Sequence, residues 1–262
     1  MKGAALFLTA LIFAGVCGAV ETREEPGWAR FFESRKLTGA MVVLDEAKGV
    51  MHVWNPKRAE TQFSPASTFK IPNALIALDA KVVKDLDEVI PYGGTNEFMK
   101  EWERDMNLRE AMKLSNVAVF HQVARRIGMV RMRAKLMDFD YGNEETGNDI
   151  GERFWLSGPL KISAIGQVEF LTKLAKGRLP VSAESVAEVK EIIRYGEKNG
   201  SVIYAKTGWI GRQEPQTGWW VGWAEKDGKI YPFAINAVIP TMEAAKLRIP
   251  VALECLGAMG IH

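Results

Sequence analysis

Ser67 and Lys70 stand three residues apart in the stretch Phe63-Ser64-Pro65-Ala66-Ser67-Thr68-Phe69-Lys70-Ile71-Pro72-Asn73. The stretch reads as a loop entering a helix that continues from Ala74 through Leu78. On a helix that spacing puts both side chains on one face. Ser67 falls at the helix start, where backbone N–H groups and the dipole favour developing negative charge. A serine hydroxyl becomes an effective nucleophile once a neighbouring base takes its proton. A lysine held against apolar groups such as Phe69 can be that base, since desolvation disfavours its ammonium form. The plain alternative is a serine-capped amphipathic helix with a solvated lysine. Average residue usage yields about one S-x-x-K by chance in a chain of this length, so the pair needs company.

Three further short motifs follow. Ser115-Asn116-Val117 falls at a helix break, which frees a hydroxyl to project into a cleft. Tyr141-Gly142-Asn143 lies in a polar loop and alone reads as a turn. Lys206-Thr207-Gly208 ends a strand, combining a positive charge, a hydroxyl and a glycine that lets a ligand approach the backbone. Each is unremarkable by itself. All of them in this order, at domain-like spacings, exceed chance.

The surrounding pattern says what holds them. Pro26 to Lys36 predicts a short helix, and Gly39 to Leu44 with Val50 to Trp54 predicts a hairpin about Asp45 to Gly49. The stretch Pro91 to Asn96 is turn-rich and opens a helical tract. Helices are expected over Leu108 to Leu114, Val117 to Ile127, Gly128 to Met137, Ser163 to Lys176 and Ser182 to Tyr195, the last two with N-cap serines. Asp140 to Gly151 reads as a polar, glycine-punctuated loop. From Ser201 the period changes to two, giving strands over Ser201 to Ala205, Gly218 to Ala224 and Ile230 to Val238, with a turn at Asp227-Gly228. A final helical tract, Met242 to Met259, is expected to break just before Pro250. The fold class is α/β of the α+β kind: an antiparallel sheet built from both termini and flanked by helices, with an all-helical lobe inserted. Residues 20–262 form one catalytic domain, with a sheet lobe at 20–61 and 198–262, a helical lobe at 62–197, and the site in the cleft between.

Composition narrows the class. The 262 residues are 47% apolar and 25% charged, an ordinary globular balance. Met1-Lys2, the apolar run Ala4 to Ala14 and small residues ending at Ala19 read as a secretory signal peptide over residues 1–19, too short for a comfortable membrane span. Cleavage after Ala19 removes one lysine and no acid, leaving 33 basic against 32 acidic residues from the 34 and 32 of the full chain. That balance calls for neither nucleic acid nor a charged membrane surface. Cleavage also removes Cys17, so Cys255 is left alone as a buried small hydrophobe and no internal disulfide is expected. His52, His121 and His262 are scattered, and no metal centre is expected.

S-x-x-K, a second serine motif and K-T-G together mark the penicillin-recognising serine enzymes. The variant here resembles the class D serine β-lactamases, the oxacillinase family, over essentially the whole mature chain. It carries Ser67-Thr68-Phe69-Lys70, Ser115-Asn116-Val117, Tyr141-Gly142-Asn143, Trp155-Leu156-Ser157-Gly158 and Lys206-Thr207-Gly208. The resemblance implies an enzyme that hydrolyses β-lactams, penicillins at least, through an acyl-enzyme on Ser67. It implies an oxyanion hole from the N–H groups of Ser67 and Trp209, and a proton relay through Ser115 and Lys206. It implies a Lys70 carboxylated by carbon dioxide, supported by Trp155 and Val117, with no cofactor beyond carbon dioxide or bicarbonate. It implies that Thr207 and Arg248 join Lys206 in holding the substrate carboxylate, with Gly208 a further substrate-binding residue. Glu144 and Glu145 read as solvated. The leader predicts an exported protein, periplasmic in a Gram-negative bacterium and without stable membrane insertion; monomer and homodimer both stay open. A penicillin-binding sensor domain and a cell-wall D,D-peptidase share S-x-x-K and K-T-G. Tyr141 and Trp155 belong to the deacylating variant and count against the peptidase, while the sensor domain stands behind several membrane-spanning helices where this sequence shows only a short signal.

Overall fold

A computed structural model describes residues 20–148, 154–211 and 216–262; the leader and cleavage point read from residues 1–19 lie outside them. In chain order the elements are β1 (Glu21–Glu24), a 3-10 turn (Pro26–Trp28), α1 (Ala29–Glu33), β2 (Gly39–Asp45), β3 (Val50–Trp54) and α2 (Pro56–Glu60). A 3-10 turn (Ala66–Phe69) then feeds α3 (Lys70–Asp79). After a turn at Lys100–Trp102 come α4 (Leu108–Lys113), α5 (Val117–Ile127), α6 (Met129–Phe139), α7 (Ala164–Ala175) and α8 (Ala183–Ile192). The chain finishes with β4 (Arg194–Lys198), β5 (Ser201–Ile210), β6 (Thr217–Lys226), β7 (Lys229–Val238) and α9 (Met242–Ala258).

The strands form one sheet in the order β1-β3-β2-β7-β6-β5-β4. Side chains alternate between its two faces. Met41, Val43, Trp220, Phe233 and Ile235 meet Trp28 and Phe32 near α1, and Val251, Cys255 and Leu256 of α9. Val42, Leu44, Trp219, Val221 and Ala234 face the helices of the long insert, α3, α5 and α7 among them. With both faces covered, β2 is buried along its full length, and β6 is buried over its first eight residues. The buried Cys255 thiol has its pKa pushed up, by burial above all.

Several expectations need correction. The sheet is antiparallel except for β1, which runs parallel to β3. The chain leaves β1, crosses through α1 and returns as the β2–β3 hairpin, so β1 and β3 point the same way. The Ser182 helix stops at Ile192; Arg194–Lys198 pairs with β5 through a register shift, so the sheet begins before residue 198. The stretch after Pro91 holds no helix before the Lys100–Trp102 turn; Gly93 and Gly94 take positive φ there. α9 runs unbroken through Pro250, because the buried side chains of Val251, Ala252, Cys255 and Leu256 hold it on the sheet. Ser67 sits in the 3-10 turn, and the α-helix proper starts at Lys70.

Candidate active site

The Ser67 turn is tied down on several sides. Ser64 Oγ donates to the carbonyls of Trp155 and Leu156 at 2.7 and 2.8 Å. Ala66 N donates to Trp155 O at 3.0 Å, and Trp219 Nε1 to Ser64 O at 2.9 Å. Thr68 Oγ1 donates to Pro65 O at 2.7 Å and accepts from Gln167 Nε2 at 2.9 Å. Ser67, in the middle of this turn, faces the cleft. Lys70 Nζ donates to Ser67 Oγ at 2.7 Å and lies 5.5 Å from the Phe120 ring centroid. The lysine is 0% exposed.

An aromatic cluster encloses that lysine's neighbours. Phe69 stacks on Trp155 with centroids 5.6 Å apart and meets Phe154 and Tyr141 edge-on. Trp155 is wholly buried, and its Nε1 has no hydrogen-bond partner among the described residues. Tyr141 belongs to this cluster, and the Tyr141-Gly142-Asn143 motif does not line the cleft. Gly142 has φ +62°, and a Cβ there would stand 2.1 Å from Lys161 O, so only glycine fits. Asn143 accepts from Lys161 N and donates to Pro159 O, both at 2.9 Å, bracing the segment that follows Trp155. Glu144 is half-buried and Glu145 exposed.

Ser115 owes its place to the end of α4. Its N–H donates to Met112 O at 3.2 Å, and Asn116 N donates to Ala111 O at 2.8 Å. This bond pair is a Schellman motif, whose left-handed position usually holds glycine. Here Ser115 occupies it at φ +55°, at a conformational cost of about 1–2 kcal/mol. Asn116 is next and caps α5 by accepting from Val119 N at 3.0 Å. Ser115 Oγ accepts from Lys206 Nζ at 3.0 Å; the same nitrogen donates to Thr207 O at 3.1 Å. Burial, helped by the charge of Arg248, pushes the Lys206 ammonium down to about 7. Arg248 is buried on α9, donates through Nε to Trp219 O at 2.9 Å and through Nη1 to Ala245 O, and is pushed down to about 10 by burial.

β5 presents its free edge to the Ser67 turn. β4 pairs only with Ser201 to Tyr204, and Ala205 N donates to Ile193 O at 2.8 Å on that same edge. The β5–β6 register is unbroken from Ser201 to Ile210, so period two turns the Thr207 and Trp209 N–H groups toward that edge as well. Gly208 permits the approach. A Cβ there would stand 3.0 Å from Pro65 O and 3.2 Å from Thr68 N.

Between these elements opens a cleft of about 590 Å³. Ser67, Ser115, Val117, Thr207, Gly208, Trp209 and Arg248 all line it. Lys70, Lys206 and Trp155 stand behind that wall. Met99 and Trp102 form part of the mouth. Phe98, Leu114 and Met242 also line the mouth, and sequence reasoning missed them. No motif marks them, and Phe98 lies in a stretch misread as helical.

Comparison with known proteins agrees with this geometry. Residues 38–256 match the penicillin binding protein transpeptidase domain family. The chain is 42% identical over 252 residues to β-lactamase OXA-48 of Klebsiella pneumoniae, covering 96% of this chain and 95% of that one. It is 37% identical to β-lactamase OXA-5 of Pseudomonas aeruginosa, covering 100% and 98%. The crystal structure of FUS-1 (OXA-85), a class D β-lactamase of Fusobacterium nucleatum subsp. polymorphum, matches with a TM-score of 0.86 and 37% identity over 91% of this chain and 99% of that one. That of the class D β-lactamase YbXI of Nostoc matches with a TM-score of 0.86 and 33% identity, over 90% and 99%. Similarity that runs the length of the chain, in sequence and in fold, makes this protein a member of the class D β-lactamases, a hydrolase within the penicillin binding protein transpeptidase domain family.

Proposed function

We propose that the enzyme hydrolyses β-lactams, penicillins at least, through an acyl-enzyme on Ser67. The observation that carries this reading is the 2.7 Å contact between Ser67 Oγ and the wholly buried Lys70 Nζ. A free lysine holds its proton up to a pKa of about 10.4, so a lysine base near neutral pH must be neutralised or changed. Burial among apolar groups works against the ammonium. A neutral amine adds carbon dioxide: the N–C bond forms, a proton leaves, and Lys70 becomes a carbamate anion that serves as general base. The buried, unpartnered Trp155 N–H supports this, since an orphaned buried donor is costly and suits such an acceptor. Val117, on the cleft wall, shields the group from water.

In this reading the base takes the Ser67 proton, and Oγ attacks the lactam carbonyl. Charge developing on the carbonyl oxygen meets the N–H groups of Ser67 and Trp209. The lactam C–N bond breaks, and the nitrogen takes a proton relayed by Ser115 and Lys206. A water deprotonated by the same base then attacks the ester and releases Ser67. Lys206, Thr207 and Arg248 hold the substrate carboxylate, the cations through charge-assisted bonds, and Gly208 lets the substrate approach the strand. The leader read in residues 1–19 supports an exported enzyme acting in the periplasm, as a monomer or homodimer. No helix among the described residues is long and apolar enough to cross a membrane.

The test is a panel of penicillin, oxacillin, a chromogenic cephalosporin and a carbapenem, run with and without bicarbonate. The reading expects rapid cycling on penicillin. One stoichiometric acylation without turnover would assign the chain to the sensor class.

A further inference from the structure

Ser115 is bracketed by a second pair of hydrogen bonds, apart from those that end α4. Trp102 Nε1 donates to Leu114 O at 3.0 Å, and Asn116 Nδ2 donates back to Trp102 O at 3.1 Å. One bond lands on the residue before Ser115; the other starts from the residue after it. Asn116 Nδ2 also meets Met106 Sδ at 3.3 Å, while its oxygen caps α5. The side chain is wholly buried, and a flipped amide would set oxygen against oxygen at Trp102. Capping alone needs only an acceptor, which serine, threonine or aspartate would supply equally. The donor half of Asn116 therefore requires another explanation. Trp102, half-buried, is a wall of the cleft and closes the Lys100–Trp102 turn.

We infer that Asn116 and Trp102 form a clamp that positions the Ser115 hydroxyl against Lys206 for proton transfer to the leaving nitrogen. The inference rests on the proposed relay role of Ser115. A relaying hydroxyl must stay within hydrogen-bond reach of its partners, and Ser115 Oγ is 3.0 Å from Lys206 Nζ. Ser115 keeps that distance from a backbone conformation that favours glycine. Released from the clamp, the residue relaxes toward ordinary backbone regions, which turns its Cα–Cβ bond and carries Oγ away. Asn116 and Trp102 are thus positioning residues.

Two substitutions separate the clamp from simple structural support. Asn116→Ser keeps the capping acceptor and loses both Nδ2 bonds. Trp102→Phe keeps an aromatic wall and loses the indole N–H. Each is made in the parent and in a Ser115→Ala background, and the acylation rate with a penicillin is measured in single turnover beside the Tm. In the parent each should slow acylation about 10-fold, the scale of a displaced catalytic group, with substrate affinity unchanged within about twofold. In the Ser115→Ala background neither should slow it further, because both act through that hydroxyl. If Ser115→Ala itself acylates at the parental rate, the relay reading fails and takes the clamp with it. If Ser115→Ala is slow while the folded clamp variants acylate normally, or slow both backgrounds equally, the clamp is overturned and the relay stands. Should Asn116→Ser fail to fold, Trp102→Phe gives the same readout.

Discussion

Replacing Gly208 with alanine adds one methyl group where β5 passes the Ser67 turn. The added Cβ would lie 3.0 Å from Pro65 O, 3.1 Å from Thr68 Cγ2 and 3.2 Å from Thr68 N, whereas ordinary contacts there run 3.4–4 Å. Gly208 does not take a positive φ, so the penalty is one of space and not of conformation. Thr68 cannot swing aside, because its hydroxyl is bonded to Pro65 O and Gln167. The turn and the strand must therefore part by a few tenths of an ångström. That movement separates Ser67 from the Trp209 N–H, on which the proposed oxyanion hole depends. A misplacement of about 1 Å costs on the order of 100-fold, so this smaller one should lower kcat about 10-fold. Mild overpacking should cost about 1 kcal/mol of stability, a small fall in Tm. Steady-state hydrolysis of a chromogenic cephalosporin, with thermal unfolding alongside, measures both. KM should change less than kcat. A folded Gly208→Ala enzyme with parental kcat would refute the convergence of strand edge and turn.

Charge in the cleft gives further tests. Lys206 holds its proton to about 7, against 10.5 ordinarily, so between those values the unfolded chain binds a proton that the folded one does not. Stability therefore falls as pH drops through that window, and Lys206→Met should raise the Tm at pH 7 with the gain fading toward pH 10; an equal gain at both would contradict the burial account. The KM for penicillin should rise above pH 7 as Lys206 loses its charge. Arg248→Ala should raise KM throughout and move that rise to higher pH, because the arginine helps depress Lys206; an unchanged KM would mean the carboxylate is anchored elsewhere. Enzyme equilibrated with labelled bicarbonate should show a carbamate carbon signal that acid removes and that Trp155→Ala weakens, with deacylation slowed more than acylation. Active enzyme without that signal would return the base role to unmodified Lys70.

The motifs were legible because their chemistry depends on spacing along the chain. Ser67 and Lys70 meet even though the turn between them is 3-10 and not α, since either winding keeps residues three apart on one side. The Ser115 break was legible for a similar reason: one helix stops at Lys113 and the next starts at Val117. β4 was not, because Arg194-Tyr195-Gly196-Glu197-Lys198 is a mostly exposed edge whose only signal is its partner. Pro250 misled because helix rules are local, while α9 is held by burial against the sheet. The direction of the Trp209 N–H follows from an edge bond made by Ala205, which no one-dimensional pattern contains. The same holds for the Trp102–Asn116 bonds, in which a turn outside any motif reaches across to one.

The account stands or falls on Ser67 as the nucleophile. Quenching the enzyme in acid during turnover of a slow penicillin, then digesting it, exposes the intermediate to mass spectrometry. The expected result is one added substrate mass on the peptide carrying Ser67, absent from a folded Ser67→Ala variant that no longer hydrolyses the drug. An adduct on another residue, or a Ser67→Ala enzyme turning over within tenfold of the parent, would contradict it.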